Sequence, residues 1–553
     1  GVIASIVATP DWAESVAAMV GIGVGVDYAL LILTRHRAAL RSGVAVEDSV
    51  ARALTTAGRS VVVAGSTVVI SLLGLLLMGL PYLVGVALSA SASVLVVMLA
   101  SLTLLPALLG FAGTKIDALA FRLPGGKRRE VKRAATVATG DDHLPADASP
   151  RFARWSRFVQ RHPWPATIVG TLLIIVIASP VAGVRLGFPG QANDPIGTQS
   201  RDANTLITRG FGPGAGTPIF ITASLQSPLE LPKVQSLRRA IARDPGVVSV
   251  SRAIPSADRS TVMLQVQGDA AADAKATDQL LMRIRDRYVP DSELYAQAGG
   301  WTAETHDQGK ATADRLPLLF LGVAGLSALL LLAAFRSVFV PLKAALMNLF
   351  SIAAAYGVVS LVAEGGTVGQ LVGIHGEVPI PPFIPVLMFA VLFGLSMDYE
   401  VFLLGRIREL WLEHGDSSRA ITEGLSTTAR VITAAGAIMV AVFGAFGLSD
   451  QIFLKLIGIG MASAIFIDAT LIRLLLVPAI MELLGDRNWG LPAWLDRMVP
   501  EARLEAVEPG TAVPAAEPLG SLDALPPSRG EFAFDDYASP DRSGAPDPVP
   551  STK

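Results

Sequence analysis

Nine stretches of about 20 residues are apolar enough to cross a hydrocarbon layer, and nothing else in this sequence constrains the fold as strongly. They fall near 15–34, 61–80, 83–111, 164–184, 315–335, 338–363, 383–404, 430–449 and 452–480, and residues 1–8 read as the end of a further one. No water reaches such a segment to pair its peptide groups, so each must close its own hydrogen bonds as a helix. Composition agrees: 51% of residues are hydrophobic and 17% charged, against roughly 25% charged in soluble proteins. The expected class is a polytopic α-helical membrane protein. A net charge of -2 points to no acidic or basic partner, and the absence of cysteine excludes disulfides, thiolate metal sites and cysteine nucleophiles.

Arginine and lysine set the expected orientation. Arg35, Arg37, Arg41, Arg52 and Arg59 follow the first span, and Lys127, Arg128, Arg129, Lys132 and Arg133 precede the fourth, whereas 79–83 and 364–382 carry neither Lys nor Arg. The positive-inside tendency makes the basic connections cytoplasmic and residues 186–314 external. Within 186–314 the strand-like runs 217–225, 247–253, 260–267 and 293–297 alternate with helical runs 232–244 and 270–288. That order, β-α-β-β-α-β, predicts one small α+β domain of split βαβ, ferredoxin-like type. The expected organisation is therefore 1–112 membrane helices of a first half, 113–160 a cytoplasmic linker, 161–185 a membrane helix, 186–314 the external domain and 315–484 five more helices. Residues 485–553, rich in Pro, Gly, Ala and acidic residues, read as a disordered cytoplasmic tail.

The chain repeats itself. A shift of 371 positions aligns Gly23 with Gly394, Asp27 with Asp398, Tyr28 with Tyr399, Arg35 with Arg406, Arg37 with Arg408, Leu54 with Leu425, Arg59 with Arg430 and Gly65 with Gly436; one inserted residue brings Pro106 onto Pro478. Six crossings separate the two Asp-Tyr helices, so they run in the same direction and the repeat is parallel, about an axis along the membrane normal. By the same symmetry, about three helices and a second external domain are expected ahead of residue 1. A chain without them is not expected to transport by itself.

An Asp in mid-span costs about 2.5 to 3.5 kcal/mol on insertion scales, and something must offset it. Gly21, Gly23 and Gly25 precede Asp27, and small residues admit a neighbouring helix, so Asp27 is expected to face protein. Asp27 and Tyr28 point about 100° apart on their helix and cannot readily pair with each other. A two-fold arrangement predicts crossed pairs, Asp27 with Tyr399 and Asp398 with Tyr28. Burial and a phenol donor act oppositely on a carboxylate, which suits a group that carries protons; the plainer alternative is a packing hydrogen bond that never titrates.

Asp468 follows Gly460 and Ala464 at four-residue spacing and is expected to sit at a close helix contact, with Arg473 as candidate partner in a structural ion pair. The Gly21–Gly25 run lacks the preceding strand of a dinucleotide loop, and no Walker motif or nucleophile elbow occurs. The six histidines, His36, His143, His162, His306, His375 and His414, read mostly as loop residues without metal-ligand spacing. No enzyme activity, metal or cofactor is expected, and the energy source would be an ion gradient.

The stretches GIGVGVDYALLILTRHR, GLSMDYEVFLLGRIREL, GLSTTARVITAAGAIMV and FIDATLIRLLLVPAIMELLGDRNW, within residues 1 to about 495, resemble the MMPL family of the RND superfamily. The resemblance implies twelve helices, two external porter-like domains and proton-coupled export of lipids or lipid-linked molecules to the actinobacterial cell envelope from the plasma membrane. It also implies that Asp27, Tyr28, Asp398 and Tyr399 are proton-relay residues. Expected partners are a lipid or lipid-linked substrate, membrane lipids and accessory envelope proteins, and not nucleic acid. Two alternatives stay open. A drug-type RND pump is disfavoured by the short external segment and the single Asp-Tyr pair per half; a non-transporting lipid-binding or translocation accessory is disfavoured by the pair's retention in both halves.

Overall fold

The computed structural model describes residues 3–117, 148–492 and 495, apart from the side chains of Asp117, Pro228 and Asp398. Most of the expected tail and most of the expected linker, with His143, lie outside the described residues; 485–489, expected to open the tail, instead continue the last helix.

Nine helices among the described residues are long and apolar enough to cross a membrane. In chain order the helices and strands are α1 (Ala13–Arg41), α2 (Val46–Met78), α3 (Pro81–Ile116), a short α4 (Pro150–Arg161), α5 (Pro163–Gly183) and α6 (Gln199–Phe211). Then come β1 (Ile219–Ser224), α7 (Leu231–Ile241), β2 (Val247–Val250), β3 (Ile254–Pro255), β4 (Thr261–Gly268), α8 (Lys275–Arg283) and β5 (Tyr295–Gly299). The chain returns to the apolar layer through α9 (Trp301–Phe335), α10 (Phe339–Ala363), α11 (Phe383–His414), α12 (Ser417–Phe446) and α13 (Ile452–Trp489). This is a multi-pass membrane protein, and each expected span falls on one of these helices, with 61–80, 164–184, 338–363 and 430–449 overrunning their helix ends by one to three residues.

The helices extend beyond the apolar windows. Arg35, Arg37 and Arg41 ride on the last turns of α1, and Arg52 and Arg59 on α2, so the basic cluster is mostly helical and not a loop. Hydropathy marks where lipid ends; the peptide hydrogen bonds continue past that point. Likewise His36 is a fully buried helix residue whose Nδ1 is 2.9 Å from Ser49 Oγ, tying α1 to the start of α2. His306 and His414 also belong to helices, at the start of α9 and the end of α11.

Residues 219–299 form a separate layer with its own core. The sheet order is β2-β4-β1-β5 with β3 on β4, and every neighbouring pair is antiparallel, the split βαβ arrangement that the strand and helix pattern predicts. β4 alternates buried and half-buried residues along its length, placing Val262, Leu264 and Val266 against Val234, Leu237 and Ile241 of α7 and Leu280 and Leu281 of α8. Helix α6, which has no buried residue, has no counterpart in that reading: its polar face carried no clear apolar stripe. Asp244, 4% exposed, accepts from Arg283 Nε and Nη2 at 2.8 Å, from Tyr288 at 3.0 Å and from the Gly246 amide at 2.9 Å. The Arg283 hydrogen bonds, against the opposing effect of burial, hold its carboxyl down at about 2.

Two features join this layer to the membrane helices. β5 runs through Gly300, at φ +97°, straight into α9. The segment after α5 pairs with the segment before α11 and reaches the layer through Arg185, which donates to the Asp273 carbonyl: Ile380 donates to Arg185 O at 2.8 Å, Gly187 donates to Ile380 O at 3.0 Å, and Arg185 meets Glu377 at 2.6 Å.

Candidate functional site

The repeat becomes visible in the packing. α1 lies on α12 and α11 lies on α2, the two symmetry-equivalent contacts between halves. Both depend on glycine. A Cβ on Gly394 would sit 2.8 Å from the Val68 Cα, and one on Gly23 would sit 2.5 Å from Phe443 Cζ. The helices therefore approach at a distance that only a missing side chain permits.

At the junction Tyr399 reaches from α11 to α1 and donates its hydroxyl hydrogen bond to Asp27 Oδ1. Asp27 is 8% exposed, and Met439 Sδ of α12 lies 3.4 Å from the same phenol oxygen. Tyr28, about 100° further round α1, is buried against α2, where a Cβ on Gly65 would lie 3.3 Å from its hydroxyl. Asp398 precedes Tyr399 on α11; its side chain, and with it the expected pairing to Tyr28, lies outside the described residues.

The network extends into the second half. Asp468 and Arg473 lie five residues apart, a spacing that points two side chains to different sides of an α-helix. Residues Asp468–Leu476 are instead π-helical, with a wider turn that brings them together, and such turns recur at functional sites. Arg473 Nη2 donates to Asp468 Oδ2 at 2.5 Å and to the Ser396 carbonyl at 2.7 Å. Ser396 Oγ lies 3.0 Å from Asp468 Oδ2 and 2.7 Å from Asn348 Oδ1 of α10, with one proton to give to either. The Arg473 guanidinium also lies over the Tyr399 ring, 4.7 Å from its centroid. Asp27, Tyr399, Arg473 and Asp468 thus form one connected set spanning both halves. Beside it lies a cavity of about 20 Å³, lined by Ser396, Tyr399, Gly436, Met439, Asp468 and Arg473 among others, with room for a water molecule or two.

Four participants were not singled out from sequence. Ser396 and Asn348 carry no charge, and nothing local distinguishes them from packing residues. Glu400 and Lys343 are 6% and 5% exposed and interact through their charges. Their signal was available, since each is an ionisable residue in a membrane helix. In the repeat Glu400 aligns with Ala29 and Ser396 with Gly25, so the polar network is far richer in the second half. Among the described residues no group of His, Asp and Glu has the arrangement of a metal site.

The model of the MMPL family matches residues 5–168 and 223–505. The mycolic acid-containing lipids exporter MmpL11 of Mycolicibacterium smegmatis is 34% identical over 502 residues, 89% of this chain and 51% of that protein. The heme uptake protein MmpL11 of Mycobacterium tuberculosis is 35% identical over 527 residues, covering 93% and 52%. The trehalose monomycolate exporter MmpL3 of Mycobacterium tuberculosis is 30% identical over 515 residues, covering 88% and 54%. The chain spans about half the length of these relatives.

Proposed function

This chain belongs to the MMPL family, and from that premise we propose that it is part of a proton-driven transporter that exports lipids or lipid-like molecules across the plasma membrane to the cell envelope. The observation that carries the reading is the carboxylate of Asp27, buried in a membrane helix and held by a phenol from the opposite half of the repeat. A proton arriving at Asp27 cancels the charge that Tyr399 solvates and weakens the contact between halves, because a hydrogen bond to an ionised acceptor is about twice as strong as a neutral one. The glycine-lined contacts of α1 with α12 and of α11 with α2 then provide the surfaces along which the halves shift. Release of the proton on the other side restores the contact. Each charge moved down a 100 mV potential supplies about 2.3 kcal/mol.

In this scheme Arg473 holds the Tyr399 ring from its far face, and Asp468 balances the cation, so the phenol stays aimed at Asp27. Asp398 and Tyr28 form the symmetry-related relay. Lipid as cargo is supported by the two relatives named as exporters of mycolate lipids, and the layer at 186–314 is read as the external, porter-like domain.

The test replaces Asp27 by Asn, which keeps shape and some hydrogen bonding but cannot cycle a proton. Surface and total lipids are profiled in cells that depend on this transporter, at matched protein levels. One lipid species is expected to fall at the surface and accumulate inside. An unchanged surface profile refutes the reading, and growth on heme iron failing in its place would identify the cargo as heme.

A further inference from the structure

We propose that α4 and the entry of α5 form a binding site for anionic phospholipid headgroups, in the leaflet against which α4 lies. The proposal is independent of the transport reading. Helix α4 has two unlike faces. Ala153, Ser156 and Val159 are fully buried on one, and that face is tied down at several points: the Ser149 amide donates to Ser426 O at 2.9 Å, Gln160 Nε2 to Ser418 O at 3.0 Å, and Thr422 Oγ1 to Gln160 Oε1 at 2.9 Å. Trp155 adds a fourth tie, its indole N–H donating at 2.7 Å to the carbonyl of Leu474 in the π-helical turn.

The other face is exposed and carries Arg151, Arg154, Trp155, Phe158 and Arg161, which recur at helical spacing along one stripe. α4 holds no acidic residue. One residue, His162, separates it from α5, whose outward side chains Ile168, Leu172 and Val176 are each about 60% exposed, as suits a helix flank lying against hydrocarbon. Trp164, 65% exposed, stands at the boundary, where aromatic rings collect in membrane proteins. The stripe thus passes from arginine and aromatic residues at headgroup depth into aliphatic residues at acyl depth, continuous with the lipid-facing surface of a span. That sequence of chemistry fits a phospholipid lying lengthwise, with its phosphate at the arginines.

The experiment uses the absence of native cysteine. Phe158→Cys is labelled with a fluorophore, and the protein is placed in phosphatidylcholine nanodiscs containing a small fraction of nitroxide-labelled lipid, either phosphatidylglycerol or phosphatidylcholine. Quenching is expected to favour phosphatidylglycerol strongly. Replacing Arg151, Arg154 and Arg161 together by Gln should reduce that preference roughly fivefold per arginine, while replacing them by Lys should retain most of it. Equal quenching by the two lipids before any arginine is changed overturns the proposal, whatever the fate of the variants. So does a preference that survives the triple Gln substitution.

Discussion

Asp468→Asn keeps the shape of the side chain and removes the charge that Arg473 meets at 2.5 Å. The Arg473 side chain is 4% exposed, so its cation cannot regain a full hydration shell, and breaking a buried pair from one side costs about 3 to 5 kcal/mol. The lower end applies here. Arg473 keeps its hydrogen bond to the Ser396 carbonyl and its place over the Tyr399 ring, a contact that contributes roughly 2 kcal/mol when desolvated. Arg473→Met alone leaves Asp468 with only the Ser396 hydroxyl of its present partners, at a similar cost. The double variant buries neither charge, and uncharged replacements for a buried pair are often neutral or stabilising. It should therefore be more stable than either single variant, with a coupling of at least about 3 kcal/mol. Unfolding midpoints of the four proteins in one detergent, or unfolding half-lives where the process is irreversible, measure this. A double variant as unstable as the sum of the two singles would refute the pairing. Transport should stay lost in the double variant even where stability returns, because the Tyr399 ring no longer has a cation beneath it.

Four further outcomes follow from particular contacts. Tyr399→Phe removes the donor to Asp27 at almost constant volume; a lost hydrogen bond to a charged group is worth about 1.5 to 3 kcal/mol, so lipid export should fall by an order of magnitude or more while insertion is unchanged, and export within twofold of the unmodified protein would contradict the role given to the phenol. Gly394→Ala brings a Cβ against the Val68 backbone, which cannot rotate away; overpacking of this kind costs about 1 to 3 kcal/mol, readable as a lowered thermal midpoint, whereas the exposed Gly110, with nothing nearby, should tolerate the same change. Asp244 has a carboxyl depressed from 3.8 to about 2, so its stabilisation of about 2 kcal/mol is complete above pH 4 and lost as pH falls toward 2. Pepsin digestion of the 219–299 layer should accelerate across that window, and Asp244→Asn should make it sensitive already at pH 4. Trp155→Phe frees the Leu474 carbonyl and should speed hydrogen exchange in the 468–476 turn about fivefold, consistent with one hydrogen bond worth roughly 1 kcal/mol; unchanged exchange would show that α4 does not restrain the turn.

The amino-acid sequence by itself determined the number of described spans, the parallel repeat, the order of strands and helices in the 219–299 layer, and the two positions of the Asp-Tyr motif. These follow from local chemistry: run length against the hydrocarbon thickness, alternation along a strand, and identity at a fixed offset. It also led to Tyr399 as a partner for Asp27, because a two-fold axis and the 100° between neighbouring side chains leave few other choices. The tertiary structure decided the rest. The Asp468–Arg473 contact requires a π-helical turn, and hydrogen-bond register in a helix is invisible to residue type. Ser396, Asn348, Lys343 and Glu400 enter the network because α10, α11 and α13 pack face to face, which no single stretch of sequence encodes. The glycines of α1 and α11 allow close approach, but only the packed helices reveal that Phe443 and Val68 are what approaches them. Charge and apolarity are properties of one residue and can be read along the chain; a site is a set of distances between residues up to 372 positions apart, and those exist only once the chain has folded.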